Sequence, residues 1–441
     1  MASRNRNRLL LALGCFVAAP LGAQAPAPVR LSFAEAVRRA TGQAPAVELA
    51  GLRTDEALAR VRQARGALLP SLSFAGGWLN RDFNSKAQGI AFPGVPTIIG
   101  PFSAYDARFR VSQTLLDFSS LARLRAARAQ VTGSTAEGGA VTEAAAQGAA
   151  LAYLRATRAR AVVAARQADS AIAAELVGLA QAQKAAGVSA AIDVTRARTQ
   201  LVAAEGALLV ARNQSDRARI DLTRALGIDP WLAIEITDTL AAALPSADVP
   251  ATADSIVALA LARRPDLAAE VARGDAARTA KSAISAERLP RLDVAADYGV
   301  SGLTPSTSVG TRQIGVQVTI PILDGFRREG RGAEQAAVVR ESDVRARDLR
   351  QQIAAEVEGA LLDRASAEAQ QGIAAERLRL AADELAQARE RFAAGVAGNI
   401  EVIDAQASLL RARDTDIDAR FGAATARVAL ARAAGLARTL H

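Results

Sequence analysis

The chain of 441 residues has one histidine, His441, and one cysteine, Cys15. That scarcity excludes catalytic histidine chemistry, a disulfide framework and the usual zinc-ligand sets. No nucleophile–base–orienter set can be assembled from what remains, so the chain reads as a non-enzyme with no cofactor. Aromatic residues make up only 4% although half of all residues are hydrophobic, and alanine dominates the apolar set. Such a chain cannot fill one bulky globular core; it suits close helix–helix packing. The formal net charge is +9, yet there is no basic block and no interleaving of aromatics with arginine. Arginines scattered among Asp and Glu along helical patterns read as solvated faces, not as a nucleic-acid surface. Residues 87–105 are uncharged, but Pro93, Pro96 and Pro101 lie within them. These prolines argue for an exposed loop and against a membrane helix.

The chain begins with Arg4, Arg6 and Arg8, an apolar run from Leu9 to about Leu21, and small residues up to Ala23. A basic region, a short apolar stretch and a small-residue cleavage site read as a signal peptide over residues 1–23. Its removal would lower the charge to +6, the three arginines being lost. Acylation of Cys15 is the alternative, but Ala12 stands where a lipobox usually has leucine.

One stretch occurs twice. Ala186-Gly187-Val188-Ser189-Ala190-Ala191-Ile192-Asp193-Val194 is echoed by Ala394-Gly395-Val396-Ala397-Gly398-Asn399-Ile400-Glu401-Val402. Gly187 and Gly395 are 208 positions apart, as are Gly227 and Gly435. A glycine just past a periodic run is a helix stop, and an acid soon afterwards suits the start of the next helix. Each copy therefore reads as the tip of a helical hairpin, and the pair as a two-fold internal repeat. Repeat 1 covers residues 24–229: a helix, strands at about 71–80 and 106–116, a long helix over 121–184, a tip at 186–190 and a returning helix over 192–226. Residues 230–262 form a linker. Repeat 2 covers 263–441: a helix, strands at about 291–300 and 312–322, a long helix over 327–393, a tip at 394–399 and a returning helix over 400–434.

The long helix over 121–184 would extend about 96 Å, too long to fold back into a compact domain. In the strands, apolar and polar residues alternate, most clearly with Leu292, Val294, Ala296, Tyr298 and Val300 on one face. That alternation fits either a tilted outer-membrane strand or a soluble sheet with one buried face. No segment is left over to cover such a sheet. Four strands cannot close a barrel, and an open edge is intolerable in lipid, so the membrane reading requires several chains.

The doubled plan, together with several motifs, resembles the TolC family of outer-membrane efflux proteins. The motifs are Leu31-Ser32-Phe33-Ala34-Glu35-Ala36-Val37, Leu115-Leu116-Asp117-Phe118, Arg264-Pro265-Asp266-Leu267 and Pro321-Ile322-Leu323-Asp324-Gly325-Phe326. The resemblance implies a mainly α fold with a membrane β-barrel. That means a homotrimer whose twelve strands close one barrel in outer-membrane lipid, continued by a long α-helical barrel in the periplasm. It implies a passive exit duct of a tripartite efflux or type I secretion system, docked through its tips to a periplasmic adaptor and an inner-membrane transporter. Gly187, Val188, Gly395 and Val396 are then the docking tips. Asp193, Glu401 and Asp404 ring the periplasmic entrance, and Phe392 stands at the position of a gate aromatic, usually a tyrosine. Ala397 replaces a basic residue, so Arg196 is expected to supply the lost charge by pairing with Glu401 or Asp404. The competing reading is a soluble periplasmic coiled-coil scaffold.

Overall fold

The computed structural model describes residues 29–89, 92–240 and 247–440. The signal-peptide reading of residues 1–23, with Cys15, lies outside the described residues, as does His441.

The two halves of the chain build nearly the same set of elements. Repeat 1 has α1 (Phe33–Gln43), α2 (Pro45–Gly66), β2 (Ser71–Asn84), β3 (Ile98–Asp117), α3 (Phe118–Ala185) and α4 (Ala191–Ala225). Repeat 2 has α5 (Ala253–Arg263), α6 (Pro265–Ala286), β5 (Arg291–Gly302), β6 (Val309–Thr319), α7 (Arg327–Ala393) and α8 (Asn399–Ala433). Matching helices have 11 and 11, 22 and 22, 68 and 67, and 35 and 35 residues. Helix α5 is thus the counterpart of α1, and all but its last residue falls in the stretch read as linker. Ser32 and Thr252 cap these two helices with their hydroxyls, accepting from the amides of Glu35 and Ser255. Proline at the first position of α2 and α6 starts each helix at no hydrogen-bonding cost.

Helix α3 is about 102 Å long at 1.5 Å per residue. It begins at Asp117, whose carboxylate accepts from the Ser119 amide at 2.9 Å. Such a helix is held by its neighbours, and α3 packs against α1, α2, α4, α6 and α8, while α7 packs against α5, α6 and α8. Alanine supplies most of the buried hydrophobic positions, which lets the axes approach closely. All four hairpin-forming helices end alike. Gly187, Gly227, Gly395 and Gly435 take φ between 68° and 75°. Each donates to the carbonyl three residues back, and the next residue donates to the carbonyl five back. That is a Schellman end, completed by an apolar side chain just beyond it: Val188, Ile228, Val396 and Leu436.

At the waist two short strands absent from the sequence reading pair in parallel: β1 (Val29–Leu31) with β4 (Ile234–Ile236). They dock the start of the described chain onto the linker. Behind them lies the main core, with Leu31, Phe33, Tyr153, Leu154, Leu222 and Ile256 all at 2% exposure or less.

The remaining strands form one antiparallel sheet in the order β2-β3-β5-β6. Leu72, Val111, Ala296 and Ile314 are register partners across it, as are Phe74, Phe109 and Tyr298. Phe74 and Phe109 touch, ring centroids 5.0 Å apart. The opposite face carries Arg108, joined to Asp106 and, at 2.9 Å, to Asp297. Strand β3 starts at Ile98, inside the stretch read as loop, because the ladder to β2 continues as far as Asn84↔Ile98. Pro101 is tolerated there since the register breaks between Arg81 and Phe83, where no ladder donor is needed. Strand β6 stops at Thr319 instead of 322, ahead of Pro321, which has no amide to donate. Among the described residues the outer edges of β2 and β6 have no partner, so these four strands close no barrel within one chain.

Candidate functional site at the helical tips

The two tips lie side by side. Val188 Cγ1 stands 3.7 Å from where a β-carbon on Gly395 would be. Beneath them the four helices bury Leu176, Ala180, Val194, Ala197, Leu385, Phe392, Val402 and Ala405. Two side-chain amides tie one tip to the other: Gln183 Nε2 donates to the Phe392 carbonyl at 2.8 Å, and Asn399 Nδ2 to the Asp193 carbonyl at 3.0 Å. Both use carbonyls from the neighbouring hairpin, so the hairpins are stitched together by bonds that neither makes alone.

Neither α4 nor α8 has a side-chain N-cap; Ala190 and Gly398 occupy that position. Asp193 and Glu401 lie in the first turn instead, where a carboxylate favours the positive helix end by about 0.3–1 kcal/mol. Asp404 is exposed on the same helix. The expected partnership of Arg196 with Glu401 or Asp404 is not made within the chain. Arg196 Nη1 is 3.9 Å from Asp193 Oδ1, one turn away on its own helix, and Glu401 Oε2 is 3.3 Å from Arg391 Nε. Arg196 takes the partner on its own helix because three residues along a helix is already contact distance, while Glu401 is met across the tip by the end of α7. Arg391, at the end of α7, is the basic residue that the sequence reading missed.

Phe392 also differs from expectation. Its side chain is 3% exposed in the four-helix core, so its ring cannot line an opening. It belongs to the buried stripe of α7 that includes Leu385, one heptad earlier. What the tips do expose is aliphatic: Val188 at 65%, Val396 at 70%, Ile192 and Ile400. A pair of exposed valines on Schellman turns offers a small apolar knob rimmed by charge.

At the other end of the molecule the sheet is bare. Leu72, Trp78, Ile314 and Val316 are each more than 60% exposed, and no described element covers them. A soluble sheet would leave this apolar face in water, which goes against the scaffold reading. No helix among the described residues is long and apolar enough to cross a membrane. No group of His, Cys, Asp and Glu among them could hold a metal ion.

The family model described as outer membrane efflux protein matches residues 36–228 and 256–436. Among solved structures, the outer membrane protein VceC from Vibrio cholerae is similar at 20% identity and a TM-score of 0.77, covering 91% of this chain and 96% of its own. The outer membrane channel CmeC from Campylobacter jejuni is similar at 16% identity and a TM-score of 0.79, covering 92% and 86%. The open state of the outer membrane channel MtrE from Neisseria gonorrhoeae is similar at 18% identity and a TM-score of 0.75, covering 92% and 89%. At these identities the likenesses establish the fold. Among curated proteins none matches the chain.

Proposed function

We propose, from the premise that this chain belongs to the outer membrane efflux protein family, that three copies assemble into one duct whose tips form its periplasmic entrance. The chain is an outer-membrane efflux channel and not an enzyme; the trimer, the closed barrel and the gate are our reading.

The carrying observation is that both layers of the protomer are unfinished at the same two edges. In the sheet those edges are β2 and β6. In the helical layer they are the outer faces of α4 and α7. Val202, Leu209 and Val210 of α4 are 57–70% exposed, and Leu362, Ile373 and Leu380 of α7 are 52–71% exposed. One edge comes from each repeat, so the surfaces differ and pair head to tail, an arrangement that closes into a ring when the rotation allows. Three copies supply twelve strands, enough for a hollow barrel. The charged sheet face with Arg108, Asp106 and Asp297 would line the lumen, and the face with Phe74, Phe109 and Tyr298 would meet lipid.

Conduction needs no chemistry from the wall, only a continuous lumen and a movable end. The Arg391–Glu401 pair and the two amide stitches would hold the tips at rest. Val188 and Val396 would offer a periplasmic adaptor its apolar foothold, Gly187 and Gly395 providing the tight turns, with an inner-membrane transporter behind it. Asp193, Glu401 and Asp404 would give the entrance its negative rim, with Arg196 held by Asp193. Electron microscopy of the detergent-solubilised protein tests the architecture. The expected particle is a tube of roughly 125 Å, from the 102 Å helix and about 25 Å of strand layer, with threefold end views. Compact particles or rods without an axial hole would refute it.

A further inference from the structure

The two strand hairpins share one register. Every pair from Ser71↔Ser112 to Arg81↔Phe102 in β2–β3 has its counterpart from Arg291↔Thr319 to Ser301↔Val309 in β5–β6. Positions therefore correspond at an offset of 220 from β2 to β5 and of 207 from β3 to β6. The junction between the hairpins is fixed as well: Phe109 pairs with Tyr298, and the ladder runs out to Tyr105↔Gly302. Closing a ring needs this kind of junction once more, between β6 and the β2 of a second copy. Repeating the β3–β5 register there sets Val316 against Trp78, Ile314 against Asn80 and, at the end away from the helices, Arg312 against Asp82. A slip of one residue would turn every side chain to the wrong face. A slip of two keeps the faces but sets Arg312 against Asn80 or Asn84.

Two charges single out the unslipped register. Arg312 is the only charged residue of β6, and its register partner Tyr298 places it on the apolar face with Phe74 and Phe109. Strand β2 has two charged residues. Arg81 lies over the Phe102 ring, 5.7 Å from its centroid. Asp82 follows Trp78 and Asn80 in the alternation of the apolar face. Arg312 and Asp82 are both exposed, and neither has a hydrogen bond or ion pair among the described residues. A bare charge on a lipid-facing strand is destabilising, and an opposite charge directly across a strand pair relieves it. Building on the trimeric duct above, we propose that Arg312 of one copy pairs with Asp82 of the next, and that the pair pins the β6–β2 register at each seam of the barrel. The long arginine side chain reaches easily across strands about 4.8 Å apart. A lipid phosphate is the competing partner for Arg312, but it would leave Asp82 on the adjoining edge without a counter-charge.

The test is disulfide cross-linking of the full chain in its membrane, with Cys15→Ala as background. Asp82→Cys with Arg312→Cys, and Trp78→Cys with Val316→Cys lower in the same ladder, should each give linked trimers on non-reducing gels, since directly opposed residues come within disulfide reach. Arg312→Cys combined with Asn80→Cys or Asn84→Cys, which report the slips of two, should stay monomeric. Asp82→Arg and Arg312→Asp should each lower the temperature at which detergent-solubilised trimers dissociate, and the double exchange should restore it. Should the Asp82 and Arg312 variants fail to fold, the Trp78–Val316 cross-link still decides the register. Trimers that cross-link only through Asn80 or Asn84 would overturn the register and leave the duct standing, whereas particles that are never trimeric by electron microscopy would overturn both. Unchanged dissociation in both single variants, or a loss in Arg312→Asp that the exchange does not restore, would overturn the ion pair.

Discussion

The waist and the tips of this protein use similar residue types in opposite surroundings. At the waist the Tyr153 side chain is fully buried, with its hydroxyl 2.7 Å from Asp238 and 3.0 Å from the Leu31 carbonyl. Glu143, also fully buried, accepts from the Ala437 amide and, at 3.0 Å, from Arg438, which fastens the end of the chain to the middle of α3. Arg264 is 3% exposed and bonds both Asp266 and Glu356. At the tips the Arg391–Glu401 pair is about half exposed on each side. A dry ion pair fixes geometry because breaking it strands a charge, whereas a wet one is worth little since water replaces either partner. The waist is therefore built to hold one geometry, and the tips are held by weaker, wetter contacts.

The largest expected effect that would test this contrast is at Arg264. Burial pushes the Asp266 carboxyl up, but its hydrogen bond with Arg264, then the charges of Arg264 and Arg432, outweigh that and hold it below the usual carboxylate range. Arg264→Ala should cost about 3 kcal/mol, the low end for a broken buried pair because Asp266 and Glu356 still reach water. Thermal melting of the assembled protein would measure it. Since a depressed carboxylate stabilises above its unfolded pKa near 3.9, wild-type stability should fall only as pH drops below about 4, and the variant should lose part of that acid sensitivity.

Next is Tyr153. Burial, then the bonded Asp238 carboxylate, push its phenol well above the ordinary range. Tyr153→Phe should cost about 1–3 kcal/mol by leaving Asp238 without that donor. A raised phenol stabilises fully below its unfolded pKa near 10 and loses that contribution as pH rises further. Alkaline melting curves should thus be shallower in the variant.

The tip stitches come third. Gln183→Ala and Asn399→Ala should each cost about 1 kcal/mol. The loss should appear as faster amide exchange in residues near both tips, with little change in the global melting temperature. Faster exchange at the waist instead would mean that the two regions are one rigid unit. The smallest stability effect is expected for Arg391→Ala, under about 1 kcal/mol as for other exposed pairs. Its signature should be functional: a several-fold rise in resting single-channel conductance in planar bilayers. Unchanged conductance would remove the pair from the gate.

Much of this fold was legible because its signals are local and doubled. Gly187 and Gly395, with the acids that follow, marked the tips, and the long breaker-free runs marked α3 and α7. Strand alternation revealed the second hairpin clearly and the first one less so, because Pro101 reads as a breaker unless the register break opposite it is known. β1 and β4, three residues each, were too short to signal themselves. The tip was legible in outline only. Asp193 and Glu401 sit where their spacing puts them, but Phe392 turned inward and Arg196 chose Asp193. Arg391 could have been found by aligning the repeats, since it faces Gln183 across them and Asn399 faces Ala191. Those unlike pairs are where each repeat reaches for the other.

What the sequence by itself determined, then, is what depends on neighbours along the chain. The glycine stops of the hairpin helices, the long breaker-free runs of α3 and α7 and the two faces of each strand follow from glycine conformation and periodicity. Tertiary structure alone decided which side chains meet across distance: Tyr153 with Asp238, Glu143 with Ala437 and Arg438, and Gln183 with the Phe392 carbonyl. Such pairings depend on helix register and on which face is dry. A sequence specifies these through the sum of all its contacts and displays them at no single position.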